Sequence, residues 1–281
     1  MISRGFTAGS VVEEIAKLPA FFRRDLLVMW SYRLALFGDW FNLIVQVVIF
    51  YFVGKLISPS SLPRFDGTQP TYVEFVVTGI VPTAFLVIGI SRVVAVIRQE
   101  QYMGTLEPLL IAPIAPATLQ LGSVLYDLLY VPIRSTAFLA LAAAFFDIRI
   151  RAAGLGPAAA VLIVFIPFVW GLGMMSSAGV LTFKRGAGAV TFAGTVLTIA
   201  SGTYFPLNVF PSWVQTLAGY NPVAKVLEAT RSALIGDAGW SEALGAIMIV
   251  LPSSLVVLTV GLIAFDLALT RERRRGTLGM Y

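Results

Sequence analysis

The segment from Arg98 to Pro113 concentrates charged and turn-forming residues between two long apolar runs. Gly104 lets the backbone turn, and Thr105 is a suitable N-cap for a short helix that bears leucines. Leucines facing water without a partner favour a docking surface for another protein, whereas the alternative is a solvated turn between helices. The residues that would make such contacts are Glu100, Gly104, Thr105, Leu106, Glu107, Leu109 and Leu110.

Asp127 and Arg134 are the other side chains that could do chemistry, because they lie inside an apolar run. In a helix they would share one face about 10 Å apart, which is too far for direct pairing. An arginine at the centre of a span costs about 2.5–3.5 kcal/mol on insertion scales. Two arrangements are open. Either the pair forms a polar patch for an anionic headgroup or substrate, or Asp127 lies near the cytoplasmic leaflet and Arg134 pairs with a neighbouring helix.

The chain has no His and no Cys, which excludes several classes of chemistry. Disulfides, Cys/His zinc sites, His-based acid–base catalysis and Ser–His or Cys–His pairs all need one of these residues. A phosphate-binding G-x-x-x-x-G-K-[ST] loop is also missing, since the Gly54-Lys55 pair has Ile49 where the first glycine must be. We therefore predict no enzyme activity, no metal site and no cofactor bound by this chain.

The elements that must position these residues are predicted to lie in a membrane. Hydrophobic residues make up 58% of the 281 residues and charged residues only 12%, about half the charged share of a soluble domain. Mean hydropathy is +0.86. The net charge of +5 is expected from basic residues at cytoplasmic helix ends, and not from binding to nucleic acid. The charged residues within 1–30 argue against a cleavable signal peptide.

A bilayer-spanning helix needs about 20 apolar residues, and runs of this length follow one another along the chain. We predict six spans, at 34–53, 75–97, 117–146, within 152–183, 186–205 and 243–265. The predicted fold is an all-α integral membrane protein with a single domain. Its parts are a cytoplasmic or interfacial segment 1–33, a six-span bundle 34–270 and a basic cytoplasmic tail 271–281.

Two helical elements are predicted outside these spans. Pro19–Arg33 mixes aromatic and basic side chains, as expected for a helix that lies in the membrane interface. Residues 207–235 follow Pro206 and contain a second break at Asn221-Pro222. Because proline removes a backbone donor, we predict a pair of short helices that re-enters the membrane or lies in the outer leaflet, rather than a seventh span.

The distribution of Lys and Arg predicts that both termini are cytoplasmic. With that orientation most basic residues fall on the inner side. The inner set is Arg4, Lys17, Arg23, Arg24, Arg33, Arg92, Arg98, Lys184, Arg185, Arg271, Arg273, Arg274 and Arg275. The smaller outer set is Lys55, Arg64, Arg149, Arg151, Lys225 and Arg231.

Two motifs resemble those of the membrane subunits of type-2 ABC exporters. RQEQYMGTLE at 98–107 is similar to the family signature R-x-E-x-x-x-G-T-L-E. SGTYFPL at 201–207, then PSW at 211–213 and YNP at 220–222, resemble the second signature, which precedes the last span. Both motifs occur in the family's order among six predicted spans, so the resemblance covers nearly the whole chain.

The resemblance implies roles by position. Glu100 to Leu110 would be a coupling helix that docks on a separate ATP-binding subunit, which binds ATP and Mg²⁺. Two such subunits and a second permease copy, identical or related, would complete the transporter in the inner (plasma) membrane. The residues implied for the outer gate are Phe205, Pro206, Pro211, Trp213, Asn221 and Pro222.

The resemblance favours an exporter that moves an amphipathic molecule, such as a hydrophobic drug, a lipid or a lipid-linked glycan, out of the cytoplasm. A polysaccharide, O-antigen or teichoic-acid-type exporter is the first alternative. The second is an ion-coupled secondary transporter without an ATPase partner, for which Asp127 is the candidate titratable residue. A non-transporting scaffold would not need a coupling segment.

Overall fold

A computed structural model describes residues 13–102, 104, 116–146, 148–183 and 187–275. These ranges are helical, apart from loops and an isolated antiparallel bridge between Phe65 and Thr68. The long elements are α1 (Leu18–Ser31), α2 (Arg33–Gly54), α3 (Tyr72–Val87), α4 (Val93–Tyr102), α5 (Pro116–Phe146), α6 (Leu155–Phe183), α7 (Ala187–Ala200), α8 (Ser212–Gly219), α9 (Pro222–Leu234) and α10 (Trp240–Arg275). Short 3₁₀ turns lie at Pro59–Ser61, Ala152–Gly154 and Leu207–Val209, and a π-helical turn at Ile88–Arg92 joins α3 to α4.

Within the described ranges, five helices are long and apolar enough to cross a membrane. They are Phe37–Gly54, Tyr72–Val96, Val124–Phe146, Ala152–Thr182 and Trp240–Glu272. These helices confirm an all-helical membrane protein, and each coincides with a predicted span. The remaining predicted span, 186–205, corresponds to α7, whose described part has 14 residues. The last helix extends past its predicted end at Phe265, because Ala268 and Leu269 pack in one cluster with Met174 and Leu181 of α6.

The antiparallel course of the helices gives the bundle two ends. We call one the Gly104 end, where α1 lies and where α4 and α10 finish, and the other the Asn221 end, where α8 and α9 lie. Tyr32 separates α1 from α2 with a backbone conformation outside the helical region (φ −99°, ψ 54°). The ring of Phe21 lies on Gly122 of α5, where a Cβ atom would come within 2.7 Å of it. This contact attaches the predicted interfacial helix to the bundle.

The helix formed by α3 and α4 lies at the centre of the bundle. Its apolar window is 82% buried, whereas that of α2 is 11% buried. The start of α3 is fixed by a capping box, in which the Thr71 amide donates to Glu74 Oε2 (2.7 Å) and the Glu74 amide donates to Thr71 Oγ1 (3.3 Å). Glu74 Oε1 also accepts from the amide of Arg149 (3.0 Å), which ties the loop after α5 to the same helix end.

Pairs of glycines bring the backbones of three helices into contact. A Cβ atom on Gly173 of α6 would clash with the carbonyl oxygen of Gly89 in the π-helical turn. Two residues earlier, on the opposite side of α6, a Cβ on Gly171 would lie 2.5 Å from the carbonyl oxygen of Val257 in α10. Such small residues allow close helix packing in a membrane, where dispersion rather than the hydrophobic effect holds helices together. The central helix, α6 and α10 therefore form one tightly packed unit.

Candidate functional site

A network of hydrogen bonds centred on Arg231 joins three segments at the Asn221 end. Arg231 lies on α9 with only 4% of its surface exposed. Its Nε donates to the Phe75 carbonyl oxygen on α3 (3.1 Å), Nη1 donates to the Gly202 carbonyl oxygen (3.0 Å) and Nη2 donates to the Thr203 carbonyl oxygen (2.8 Å). These carbonyl groups belong to the first turns of the central helix and to the turn after α7. One buried cation thus fixes the positions of α3, α7 and α9.

Arg231 also lies beside the C-terminal end of α7, where it binds carbonyl groups of the turn that follows the helix. The last carbonyl groups of a helix lack intrahelical partners and carry partial negative charge, which a cation stabilises. Gly202 adopts φ +81°, the left-handed conformation that commonly follows a helix, and presents its carbonyl oxygen to the guanidinium. Burial lowers the pKa of Arg231 to about 9, and the Glu228 carboxylate acts in the opposite direction. The side chain therefore stays cationic at neutral pH.

Two further contacts join the turn after α7 to α9 and α3. Asn221 is the N-cap of α9, and its Oδ1 accepts from the amide of Val223 (3.0 Å), with Pro222 at the first helical position. The Nδ2 of the same side chain donates to Ser201 Oγ (2.8 Å). The hydroxyl groups of Thr83 and Thr203 lie 3.0 Å apart and share a hydrogen bond. Asn221 therefore both starts the helix and positions it against the end of α7.

A cavity of about 420 Å³ opens beside this network. It lies between the loop after α2, the turn after α7 and the start of α10. Its polar lining includes Arg64, Asp66, Asn208, Glu228, Arg231 and Glu242. Among the residues that the structure describes, no group of three or more His, Cys, Asp or Glu side chains is arranged to hold a metal ion. The arrangement holds backbone segments of three elements in place.

The residues predicted for the outer gate all lie at the Asn221 end, but only part of them joins the network. Asn221 and Pro222 start α9 and contact the turn after α7. Pro206 is buried and precedes the 3₁₀ turn, whereas Phe205 and Trp213 are exposed and Pro211 is the N-cap of α8. The two short helices α8 and α9, divided at Tyr220-Asn221, match the predicted pair of half-helices. Their depth in a membrane remains a prediction.

The predicted docking segment is only partly described. Glu100 lies on α4, and Gly104 is an exposed turn residue with φ +68°, as expected for a glycine that redirects the chain. Thr105, Leu106, Glu107, Leu109 and Leu110 lie outside the described residues. The described helices on either side of it, α4 ending at Tyr102 and α5 beginning at Pro116, have these ends at the Gly104 end.

Arg134 pairs with a neighbouring helix, as one of the two predicted arrangements has it, and the leaflet position of Asp127 stays a prediction. Arg134 Nη2 lies 2.9 Å from Asp39 Oδ1, which joins α5 to the neighbouring helix α2. Tyr130, one turn before Arg134 on α5, donates from its hydroxyl group to Asp39 Oδ2 (3.1 Å). Asp127 is half-buried on the same helix. Arg134 thus has a carboxylate partner on another span.

Arg231 is the functional residue that sequence reasoning missed. The sequence placed Arg231, like Lys225, only among the basic residues of the outer segments. Lys225 and Glu228 do form an exposed ion pair (3.0 Å), but Arg231 turns inward to the carbonyl groups. A usable signal was Gly79 on α3, where a Cβ atom would clash with the guanidinium. A glycine within an otherwise bulky apolar span marks a close approach of this kind.

These features define a class of protein, a helical membrane protein. The hydrogen-bond network centred on Arg231 lies at the Asn221 end of its bundle, and the segment that connects α4 to α5 follows the Gly104 end of α4. Comparison with known families identifies the protein further. The model of the ABC-2 type transporter family matches residues 17–235. The chain belongs to this family, whose membrane domain is the permease component of a transporter and not its catalytic component. A search of curated proteins found no matching relative.

Proposed function

We propose that this chain is the permease subunit of an ATP-driven exporter that moves an amphipathic molecule out of the cytoplasm. The observation that carries the proposal is the family match over residues 17–235, which includes both α1 and the Arg231 network. Members of this family normally work with an ATP-binding subunit. In our proposal two such subunits dock at the Gly104 end of two permease copies, in the inner (plasma) membrane with both termini cytoplasmic.

The central helix supplies a mechanical connection in this proposal. It begins at Tyr72, next to the carbonyl group that Arg231 binds, and continues through α4 to Tyr102, two residues before Gly104. A push on the docking segment would therefore act directly on the helix that carries the network. Closure of the two ATP-binding subunits would move α4, and the segment 207–235 would act as an outer gate that opens when the network rearranges.

The proposal assigns Glu100 to Leu110 as the coupling element and the basic Gly104 end as the cytoplasmic face. The basic residues of α1 and of the last turns of α10 support that orientation. The proposed path for the substrate runs between two copies of the chain. A hydrophobic drug, a lipid or a lipid-linked glycan is the favoured substrate, and the polysaccharide-type exporter is the runner-up.

Purification in mild detergent from the native host tests the proposal. We expect an ATPase subunit to accompany the wild-type chain in a one-to-one ratio, and the variant Glu107→Lys to lose it. Glu13→Lys is the matched control, because Glu13 is an exposed glutamate just before α1 and the charge change is identical. A preparation without any ATPase would contradict the proposal and would favour the ion-coupled transporter, with Asp127 as the next residue to substitute.

A further inference from the structure

We propose that Asp39 and Arg134 form a binding site for the headgroup of a zwitterionic phospholipid in the cytoplasmic leaflet. The choice of leaflet and the view of such a lipid as a substrate or a close analogue rest on the proposed function. The site itself rests on the geometry of α2 and α5. These two helices place a cation and an anion side by side on a face that also carries exposed apolar residues.

The charges of the pair are only partly enclosed by protein. The side chain of Arg134 is 27% exposed and that of Asp39 is 34% exposed, although the two are in contact at 2.9 Å. Arg134 Nε is enclosed by protein without a hydrogen-bond partner, so the donors that a third group can reach lie on the exposed part of the guanidinium. The pair therefore retains both a donor surface and an acceptor surface for a third group.

The surroundings indicate that this face meets lipid. Phe37 and Phe41 flank Asp39 on α2 and are 75% and 67% exposed. Ile133, beside Arg134 on α5, is 62% exposed. Asp39 lies six residues after the first residue of α2, about 9 Å along the helix axis. Arg134 lies ten residues after the start of the apolar window Val124–Phe146 on α5, about 15 Å along that helix. The pair therefore lies within the apolar part of both helices, where a charge without a polar partner is costly and a headgroup that reaches the pair lowers that cost.

The signs of the charges select the kind of headgroup. An anionic headgroup would meet the Asp39 carboxylate, and a cationic amphiphile would meet the Arg134 guanidinium. A zwitterion can place its phosphate on Arg134, which binds phosphate oxygens well, and its ammonium group on Asp39. The Tyr130 hydroxyl group, which holds Asp39 Oδ2, keeps the carboxylate oriented for that second contact.

An aromatic row leads from α1 to this site. Phe22 of α1 lies 6.1 Å from Tyr126, and Tyr126 stacks on Tyr130 with ring centroids 5.6 Å apart. Aromatic faces attract ammonium groups, most strongly where water is excluded. The row would therefore favour the ammonium end of a zwitterionic headgroup along its way from α1 to Asp39.

Lipid binding by the full chain tests the inference without any ATPase. The purified protein is equilibrated with equal amounts of phosphatidylethanolamine and phosphatidylglycerol of the same acyl chains, and the retained lipids are counted by native mass spectrometry. We expect about a tenfold preference for phosphatidylethanolamine, the effect of one charged hydrogen bond. Asp39→Asn should reverse the preference towards phosphatidylglycerol. The neutral double variant Asp39→Asn/Arg134→Gln should bring the ratio of bound phosphatidylethanolamine to bound phosphatidylglycerol close to one while the protein stays folded.

A matched control separates this role from a structural one. Lys225→Gln/Glu228→Gln neutralises an ion pair of similar length at the other end of the bundle and should leave the lipid preference unchanged. An unchanged preference in Asp39→Asn/Arg134→Gln, or no preference in the wild type, would overturn the inference. Absence of the ATPase from the wild-type purification above would overturn the proposed function but would not affect this measurement.

A second measurement does not depend on charge variants. The chain has no cysteine, so Ile133→Cys carries a single nitroxide label without background. In lipid nanodiscs we expect the nitroxide label to collide more often with oxygen, which partitions into lipid, than with a water-soluble nickel complex. Protection from both reagents would mean that protein covers this face, and it would exclude a lipid site there.

Discussion

The guanidinium carbon of Arg231 lies 3.6 Å from the centre of the Phe75 ring, while Nε of the same side chain donates to the Phe75 carbonyl oxygen. One residue of the central helix thus contacts the cation with both its ring and its backbone. The ring face attracts the charge, and the carbonyl group satisfies a donor that burial has removed from water. This relationship makes the first turn of α3 dependent on α9.

Arg231→Met should destabilise the protein by about 3 kcal/mol, because three buried carbonyl groups lose their donors at once. The measurement is the unfolding midpoint in detergent, together with protease sensitivity of the segment 207–235. Arg231→Lys keeps the charge but cannot reach the three carbonyl groups with a planar fork, so it should recover only part of the loss. Wild-type stability in Arg231→Met would contradict the importance of the network.

The glycine contact between α6 and the π-helical turn predicts opposite effects for two substitutions on one helix. Gly173→Ala places a methyl group against the Gly89 carbonyl oxygen and should cost about 1–3 kcal/mol through overpacking. Gly179→Ala on α6 meets nothing within 4 Å and should stabilise the helix by about 0.5–1 kcal/mol. Thermal unfolding of the two variants side by side measures the difference. Equal effects would argue against the close backbone contact.

Asn221 is predicted to act through both of its side-chain atoms. Asn221→Ala should cost about 1 kcal/mol for the lost N-cap, with a further loss from the bond to Ser201. Asn221→Asp keeps the acceptor for the Val223 amide but removes the donor to Ser201. A double-mutant cycle of Asn221→Asp and Ser201→Ala measures the coupling between α9 and the end of α7. Simple additivity of the two losses would contradict a direct bond.

Gly104 is predicted to matter for coupling through its backbone conformation. Gly104→Val requires a β-branched residue at φ +68°, where no neighbouring atom lies within 4 Å of the new Cβ, so the strain is local and about 1–2 kcal/mol. We expect transport to fall while the helices remain folded. Gly104→Asn should retain transport because asparagine tolerates this conformation, and Gly38→Ala, also free of neighbours, controls for loss of a glycine. Full transport in Gly104→Val would exclude a coupling role for the turn.

The helices could be predicted from the sequence because membrane spans depend on length and hydropathy. The predicted boundaries 34–53 and 117–146 differ from α2 and α5 by one residue at most at each end. What could not be predicted is which helix lies at the centre. Both α2 and α3 are predominantly apolar, yet one is mostly exposed and the other mostly buried. Lipid and protein interior are equally apolar, so hydropathy does not distinguish a lipid-facing side from a packed one.

The candidate site could be predicted only where a residue acts on its own segment. Asn221-Pro222 was predicted as a break, and the structure places it at the start of α9 because Asn caps a helix and proline suits its first turn. Arg231 acts on carbonyl groups that lie 28, 29 and 156 positions away in the chain. Contacts at such separations depend on tertiary packing, which a local pattern does not report. Pairing of Arg134 with a neighbouring helix was one of two arrangements left open for the same reason, and its partner Asp39 was not predicted.

The π-helical turn at Ile88–Arg92 has a consequence for how the two halves of the central helix are aligned. A turn of this kind accommodates one residue more than an α-helical turn. Deleting a single residue there would restore an unbroken α-helix and rotate everything beyond it by about 100°. The direction in which Gly104 faces, relative to Phe75, therefore depends on the presence of that one inserted residue.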